Sequence, residues 1–257
     1  MFDIINGLSD KLFRAYENIK PIPKFAEQHQ LSLESAYTVQ KKLISLHRSK
    51  GRQILGYKIG MTNPLKRNTM GAADPTCGVL FRDYLLYSKD TLSLSRLIQP
   101  RVEAEIAFLL QDDLKGPNLT LEDVLKASIV MPALEIIDSR IENWQLTLLD
   151  GIADNCAAWG VVLGEPALSA SEVNLRTVGV VFEKNGELLA TAAGAASLDH
   201  PGRAVQWLAN RLALEGVMLQ QGQVILSGAL TDGFPLEEGV YRAEFGNGLG
   251  VVELQVK

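Results

Sequence analysis

The sequence lacks most features that would fix a function class at once. It holds no run of about 18 apolar residues, so no membrane-spanning helix is expected. Its first residues, Met1-Phe-Asp-Ile-Ile-Asn-Gly7, have neither the basic start nor the apolar core of a signal peptide. Only two cysteines occur, Cys77 and Cys156, too few for a disulfide framework and without metal-type spacing. Two reduced thiols in a cytoplasmic protein is the expectation. There is no basic excess: 25 Lys and Arg stand against 30 Asp and Glu, a net charge of −5, which gives no reason to expect nucleic acid as a partner. No glycine-rich phosphate loop is present, because Gly246-Asn-Gly-Leu-Gly250 lies between two strand candidates and opens no helix. No serine sits in a nucleophile elbow and no His/Cys pair stands out, so nucleophilic catalysis finds no support. Internal repeats and low-complexity segments are absent.

What is present is a chain with 47% hydrophobic residues over 257 positions, ample for a sizeable core. Its first sixty residues read as helical. Ser9 to Asn18 is amphipathic, and Pro21-Ile-Pro23 breaks it. Ser32 is placed to cap a helix from Leu33 to about Lys50 that ends at Gly51. From Ile54 onward, short apolar runs alternate with turn signals, at 56–60, 101–110, 133–137, 157–163, 177–182, 224–226, 241–245 and 250–256. Lys184-Asn-Gly-Glu187 reads as a hairpin turn. Thr120-Leu-Glu-Asp123 is a capping box opening a helix to about Ser128. Val205, Leu208, Ala209 and Leu212 mark another helix, with Asp199 or His200 as its cap. The pattern predicts an α+β protein: a helical N-terminal segment, 1–72, packed on a β-rich catalytic body, 73–257, with a rolled or barrel-like sheet.

The chemistry centres on Arg101-Val-Glu-Ala-Glu-Ile-Ala-Phe108. In a strand, Glu103 and Glu105 point to one face, and Val102, Ala104, Ile106 and Phe108 to the other. Adjacent like charges repel, and a hard cation such as Mg²⁺ or Mn²⁺ relieves that repulsion. Glu135, a carboxylate between Leu134 and Ile136, is the candidate third ligand. The competing reading is a solvated strand face. Lys58, among apolar residues and two glycines, reads as a buried ammonium that binds an anion or moves a proton, or else as a snorkelling surface lysine. Asp154 and Asn155 could orient a ligand or form a turn. Ser227, opening Ser227-Gly-Ala-Leu-Thr-Asp232, offers a hydroxyl and free backbone N–H groups that suit a carboxylate, or an ordinary β-turn. Asp138 is placed to pair with Arg140.

Six segments occur in one order and spacing: 56–62, 99–107, 132–140, 152–155, 183–186 and 227–230. Together they resemble the 2-keto-4-pentenoate hydratase and 2-oxohex-3-enedioate (4-oxalocrotonate) decarboxylase family, related to the fumarylacetoacetate hydrolases, over about residues 10 to 256. The resemblance implies a fumarylacetoacetate-hydrolase-like fold and Mg²⁺ or Mn²⁺ on Glu103, Glu105 and Glu135. It implies a 2-oxo acid substrate from aromatic breakdown, a homo-oligomer and association with a sister hydratase or decarboxylase. Lys58 would assist electrostatically or shuttle a proton.

The chain departs from the family pattern at two places that bear on the reaction. Hydratases of the family carry an aspartate eighteen residues after the motif lysine; here that position is Thr76, within Asp74-Pro-Thr-Cys-Gly78. A threonine hydroxyl is no base near neutral pH, so Asp74 is the candidate substitute. Ile141-Glu-Asn-Trp144 resembles the decarboxylase segment, whereas Asp150 matches an aspartate that hydratases often have. The balance leans to decarboxylase, with hydratase and a non-catalytic partner subunit as alternatives. Asp199 also stands where the family has glycine, which questions that loop's conformation.

Overall fold

The computed structural model describes residues 2–257. Two long helices open the chain: α1, Phe2–Asn18, and α2, Leu33–Ser49. Ser32 caps α2 by accepting from Ser35 N, while Ser35 returns a bond to the cap. Then follow β1 (Ile54–Gly60), α3 (Pro64–Met70), β2 (Thr76–Phe81), β3 (Leu85–Tyr87), β4 (Thr91–Leu92) and β5 (Pro100–Leu110). After α4 (Leu121–Lys126) come β6 (Ser128–Asp138), α5 (Leu148–Ala153), β7 (Ala158–Leu163), β8 (Leu168–Ser169), β9 (Gly179–Lys184) and β10 (Glu187–Ala193). The chain ends with α6 (Pro201–Ala213), β11 (Val224–Leu226), β12 (Phe234–Pro235), β13 (Gly239–Phe245) and β14 (Gly250–Val256). His200, rather than Asp199, caps α6 by accepting from Gly202 N. The Asn185-Gly186 turn joins β9 to β10 as expected.

The larger sheet runs β2-β1-β11-β5-β6-β7-β3, with β12 on β5 and β8 on β6. It curls so that β2 approaches β7. The smaller sheet runs β10-β9-β13-β14-β4. One face of the large sheet (Ile106, Phe108, Leu134, Ile136, Ile225) packs with Phe182, Tyr241, Val252 and Leu254 of the small sheet and with α6 in the main core. Its other face holds a smaller apolar cluster: Ala107, Ala133, Val161, Leu163 and Leu226. The helices α1 and α2 form a layer with α5 around Leu12, Val39, Leu43 and Ile152. β1, from the same segment, is built into the large sheet between β2 and β11.

This architecture is α+β, as expected. Burial on both faces hides the alternation of two strands: β6 begins at Ser128, earlier than expected, and β2, which pairs along β1 from Thr76 to Phe81, is a strand the sequence pattern does not mark. Asp199 adopts φ +64°, the left-handed conformation that glycine favours, and its carboxylate meets Arg176 at 2.8 Å and Arg203 at 3.1 Å. The loop keeps a glycine-type turn with an aspartate in it.

Candidate metal centre and active site

β5 and β6 pair antiparallel, with Glu103 directly opposite Glu135. Opposite residues share a sheet face, and Glu105 lies two positions along the same strand, so all three side chains emerge on one side. One oxygen from each lies within 4.8 Å of the others. Glu105 and Glu135 are fully buried and Glu103 is half-buried. Glu105 Oε1 and both Glu135 oxygens lack a hydrogen-bond donor. Uncompensated buried carboxylate oxygens are costly, so they mark a place for a cation.

The segment after β11 fixes Glu105. Ser227 N donates to Ile106 O and Leu230 N to Ala104 O, so the loop follows β5. Between them Gly228 N donates to Glu105 Oε2 at 2.8 Å. Gly228 has φ +98°, and a Cβ there would sit 2.4 Å from Thr62 Cγ2. Only glycine meets both requirements.

Lys58 lies in the middle of β1, 5% exposed, with Nζ 3.0 Å from Glu135 Oε2. The contact is an ion pair without hydrogen-bond geometry, so Glu135 Oε2 remains undonated. Burial opposes the ammonium, but Glu135, Glu103 and Glu105 outweigh it and raise its pKa above the usual lysine value. Burial raises Glu135 to about 7 against the pull of Lys58. Burial and the Glu135 charge hold Glu105 well above the usual carboxylate range. Burial also raises Glu103, opposed by Lys58 and Lys66. The cluster carries more negative charge than one lysine neutralises.

A cavity of about 200 Å³ opens beside this cluster. Lys58, Glu103, Thr76, Cys156 and Ala229 line it, together with Ile59, Ile137, Trp144, Leu148 and Ile152. Lys66 and Met70 of α3 close one side. Lys66, Trp144 and Cys156 are lining residues to which the sequence alone assigns no place in the site. Asn63-Pro64, a cap followed by proline at the first helical turn, was the available signal for α3. Cys156 enters from a run of three non-glycine residues with positive φ, Asn155 to Ala157.

The other candidate residues fall elsewhere. Asp150 is outside the cavity lining and fully buried. Its Oδ1 accepts from Phe25 N at 2.9 Å and Ala26 N at 2.8 Å. Its Oδ2 accepts from Thr147 N and Thr147 Oγ1, closing the capping box of α5. Asp154 pairs with Arg140, whose Nε is 2.5 Å from Asp154 Oδ1. Asp138 is therefore not the partner of the Arg140 charge; its carboxylate accepts from Ile98 N and Gln99 N. Asn155 holds the β2 backbone through Val79 N and Val79 O. Asp74 is exposed and lines an outer cavity that shares Thr76, Met70, Leu148 and Ile152 with the inner one. Ser227 Oγ is buried without a partner, one residue from the Gly228–Glu105 contact.

A curled sheet gathers three carboxylates, two of them fully buried, and one lysine beside a small cavity, a donor set that could hold a hard oxygen-liking cation. No family model matches the sequence. A 2-hydroxypent-2,4-dienoate hydratase of Pseudomonas putida is 39% identical over 217 residues, covering 83% of this chain and 98% of that protein. The structure of 4-oxalocrotonate decarboxylase from Pseudomonas putida G7, complexed with magnesium and adipate, superposes with a TM-score of 0.95 at 33% identity. That match covers 100% of this chain and 98% of the other. A protein of Yersinia pestis CO92 assigned to the fumarylacetoacetate hydrolase family has a TM-score of 0.58 at 12% identity, with 78% and 92% of the two chains covered, and shares the fold alone. The chain belongs to the 2-keto-4-pentenoate hydratase and 4-oxalocrotonate decarboxylase family, on the fumarylacetoacetate-hydrolase-like fold. It is thus an enzyme of the lyase class.

Proposed function

We propose that the chain is a divalent-metal-dependent lyase acting on a 2-oxo-enoate or its 2-hydroxydienoate tautomer, with decarboxylation of 2-oxohex-3-enedioate as its reaction. The observation that carries this reading is the Glu103–Glu105–Glu135 cluster, with three undonated carboxylate oxygens beside the cavity. These carboxylates would hold Mg²⁺ or Mn²⁺, both of which prefer oxygen ligands. When bound, the ion supplies Lewis-acid stabilisation of charge developing on the 2-oxo oxygen.

In the proposed step the bond to the far carboxylate breaks and CO₂ leaves. The electron pair moves through the C3=C4 double bond to the 2-oxo oxygen, and a proton there completes 2-hydroxypenta-2,4-dienoate. Lys58 holds positive charge beside this oxygen's site and carries the proton on Nζ. The Ser227 hydroxyl, buried and unpartnered, is free to donate to the substrate's first carboxylate. Apolar walls at Ile59, Ile137 and Ile152 keep water out.

The lining supports decarboxylation over hydration. Among the described residues Glu103 is the only carboxylate that lines the inner cavity. Thr76 occupies the position of the hydratase aspartate, Asp74 is exposed, and Asp150 is saturated by four donors. No free base remains inside to activate water. Hydration of 2-hydroxypenta-2,4-dienoate is the second reading, favoured by the 39%-identical hydratase. An assay of both substrates with Mg²⁺ decides: CO₂ release from 2-oxohex-3-enedioate is expected, and hydration without CO₂ release would reverse the order. Absence of Mn²⁺ binding together with turnover of neither substrate would favour a non-catalytic partner subunit. We also infer a homo-oligomer, to be checked by light scattering of the purified protein.

A further inference from the structure

The cavity has two chemically different ends. The inner end is lined by Glu103 and Lys58, whose ammonium is committed to Glu135. The outer end holds Lys66, and among the described residues these are the only two cations in the lining. Lys66 lies on α3, a helix with no buried residue. Its Nζ is 2.9 Å from Asp232 Oδ1, with the two side chains 44% and 80% exposed. Asp232 ends the loop that begins at Ser227. The next residue, Gly233, lies so close to Glu103 that a Cβ there would be 3.0 Å from Glu103 Oε1. The Lys66–Asp232 pair therefore bridges the mouth, from α3 to the loop, beside the metal centre.

A pair this exposed contributes little, so another carboxylate exchanges for Asp232 at little cost. A carboxylate reaching the mouth from inside meets Lys66 at the edge of apolar walls, where less water competes. We propose that Lys66 captures the far carboxylate of a dicarboxylic 2-oxo acid and so sets the choice between diacid and monoacid substrates. This rests on the 2-oxo acid reading of the site. Lys66 is a specificity residue, not a catalytic one. Its charge stabilises the carboxylate that must leave as neutral CO₂, so its removal raises KM without lowering kcat.

The test is calorimetry on Mn²⁺-loaded protein with 2-oxohexanedioate and 2-oxohexanoate, two saturated acids that differ only in the far carboxylate. The expected preference for the diacid is about tenfold or more in the unchanged protein. Lys66→Gln closes that gap to within about twofold, and Lys66→Arg keeps it. Asp232→Asn, which frees Lys66, tightens the diacid by a few-fold relative to the monoacid. Equal affinity for the two acids in the unchanged protein overturns the inference alone, as does a Lys66→Gln variant that keeps the gap. Binding of neither acid in the presence of Mn²⁺ overturns the 2-oxo acid reading and the inference together.

Discussion

Replacing Asp150 separates a structural role from a chemical one. Its two oxygens accept four hydrogen bonds at 2.7–3.0 Å, from Phe25 N, Ala26 N, Thr147 N and Thr147 Oγ1, in a fully buried position. These bonds tie the link between α1 and α2 to the start of α5. Asp150→Asn keeps one accepting oxygen and turns an NH₂ toward donors, leaving at least one buried N–H without a partner. Each bond to a charged acceptor contributes about 1.5–3 kcal/mol, and each stranded donor costs about 1–3 kcal/mol. A net loss of about 3 kcal/mol is the expected outcome. In a chain of this length that lowers Tm by roughly 6–12 °C. Thermal unfolding by circular dichroism measures it, with steady-state turnover measured well below both transitions. The expected pattern is a large fall in Tm with kcat within about threefold of the unchanged protein. A loss of turnover above about 100-fold with an unmoved Tm would refute the reasoning and return Asp150 to acid–base chemistry.

Three further outcomes follow from the site and its support. Glu105→Gln removes one of three mutually repelling buried carboxylates, so the metal-free protein gains stability while Mn²⁺ affinity falls about 100-fold or more; calorimetry and metal-free melting read the two effects, and unchanged affinity would exclude Glu105 as a ligand. Gly228→Ala places a methyl 2.4 Å from Thr62 Cγ2 and strains φ +98°, pulling the Gly228 N–H away from Glu105; weaker Mn²⁺ binding is expected, and an unaltered titration would show that the loop tolerates a side chain. His47 is buried against Phe13, Tyr16 and Phe81 and takes a bond from Arg52 Nη1, and burial, then the charges of Arg52 and Arg140, lowers its pKa to about 3. The unfolded chain binds this proton below about pH 6.5 and the folded one only near 3, so this contribution is complete above 6.5 and is lost as pH falls through that window. At pH 4.5 the loss is about 3 kcal/mol. Urea midpoints from pH 7 to 4.5 should fall less steeply in His47→Gln, and parallel curves would refute the assignment.

The sequence and the structure agree where information is local and part where it is not. Glu103 and Glu105 are legible as a pair because a strand's period of two is a property of one segment. That Glu135 stands opposite Glu103 is a fact of register between β5 and β6, and neither strand contains it alone. The sequence marks Glu135 only as a carboxylate out of place between Leu134 and Ile136; eleven paired positions along the two strands place it opposite Glu103. Arg140 illustrates the opposite case. Asp138 is its nearer neighbour in sequence, but the Asp138 carboxylate accepts from Ile98 N and Gln99 N, and the guanidinium pairs with Asp154, fourteen residues away. The structural role of Asp150 has a local signal: Thr147-Leu-Leu-Asp150 has the same capping spacing as Thr120-Leu-Glu-Asp123. A carboxylate that completes a capping box and also collects two backbone donors from another segment has no lone pair to spare for a substrate. The choice between hydration and decarboxylation therefore passes from Asp150 to the cavity wall, which Thr76 and Cys156 line with Lys58 and where, among the described residues, Glu103 is the only carboxylate.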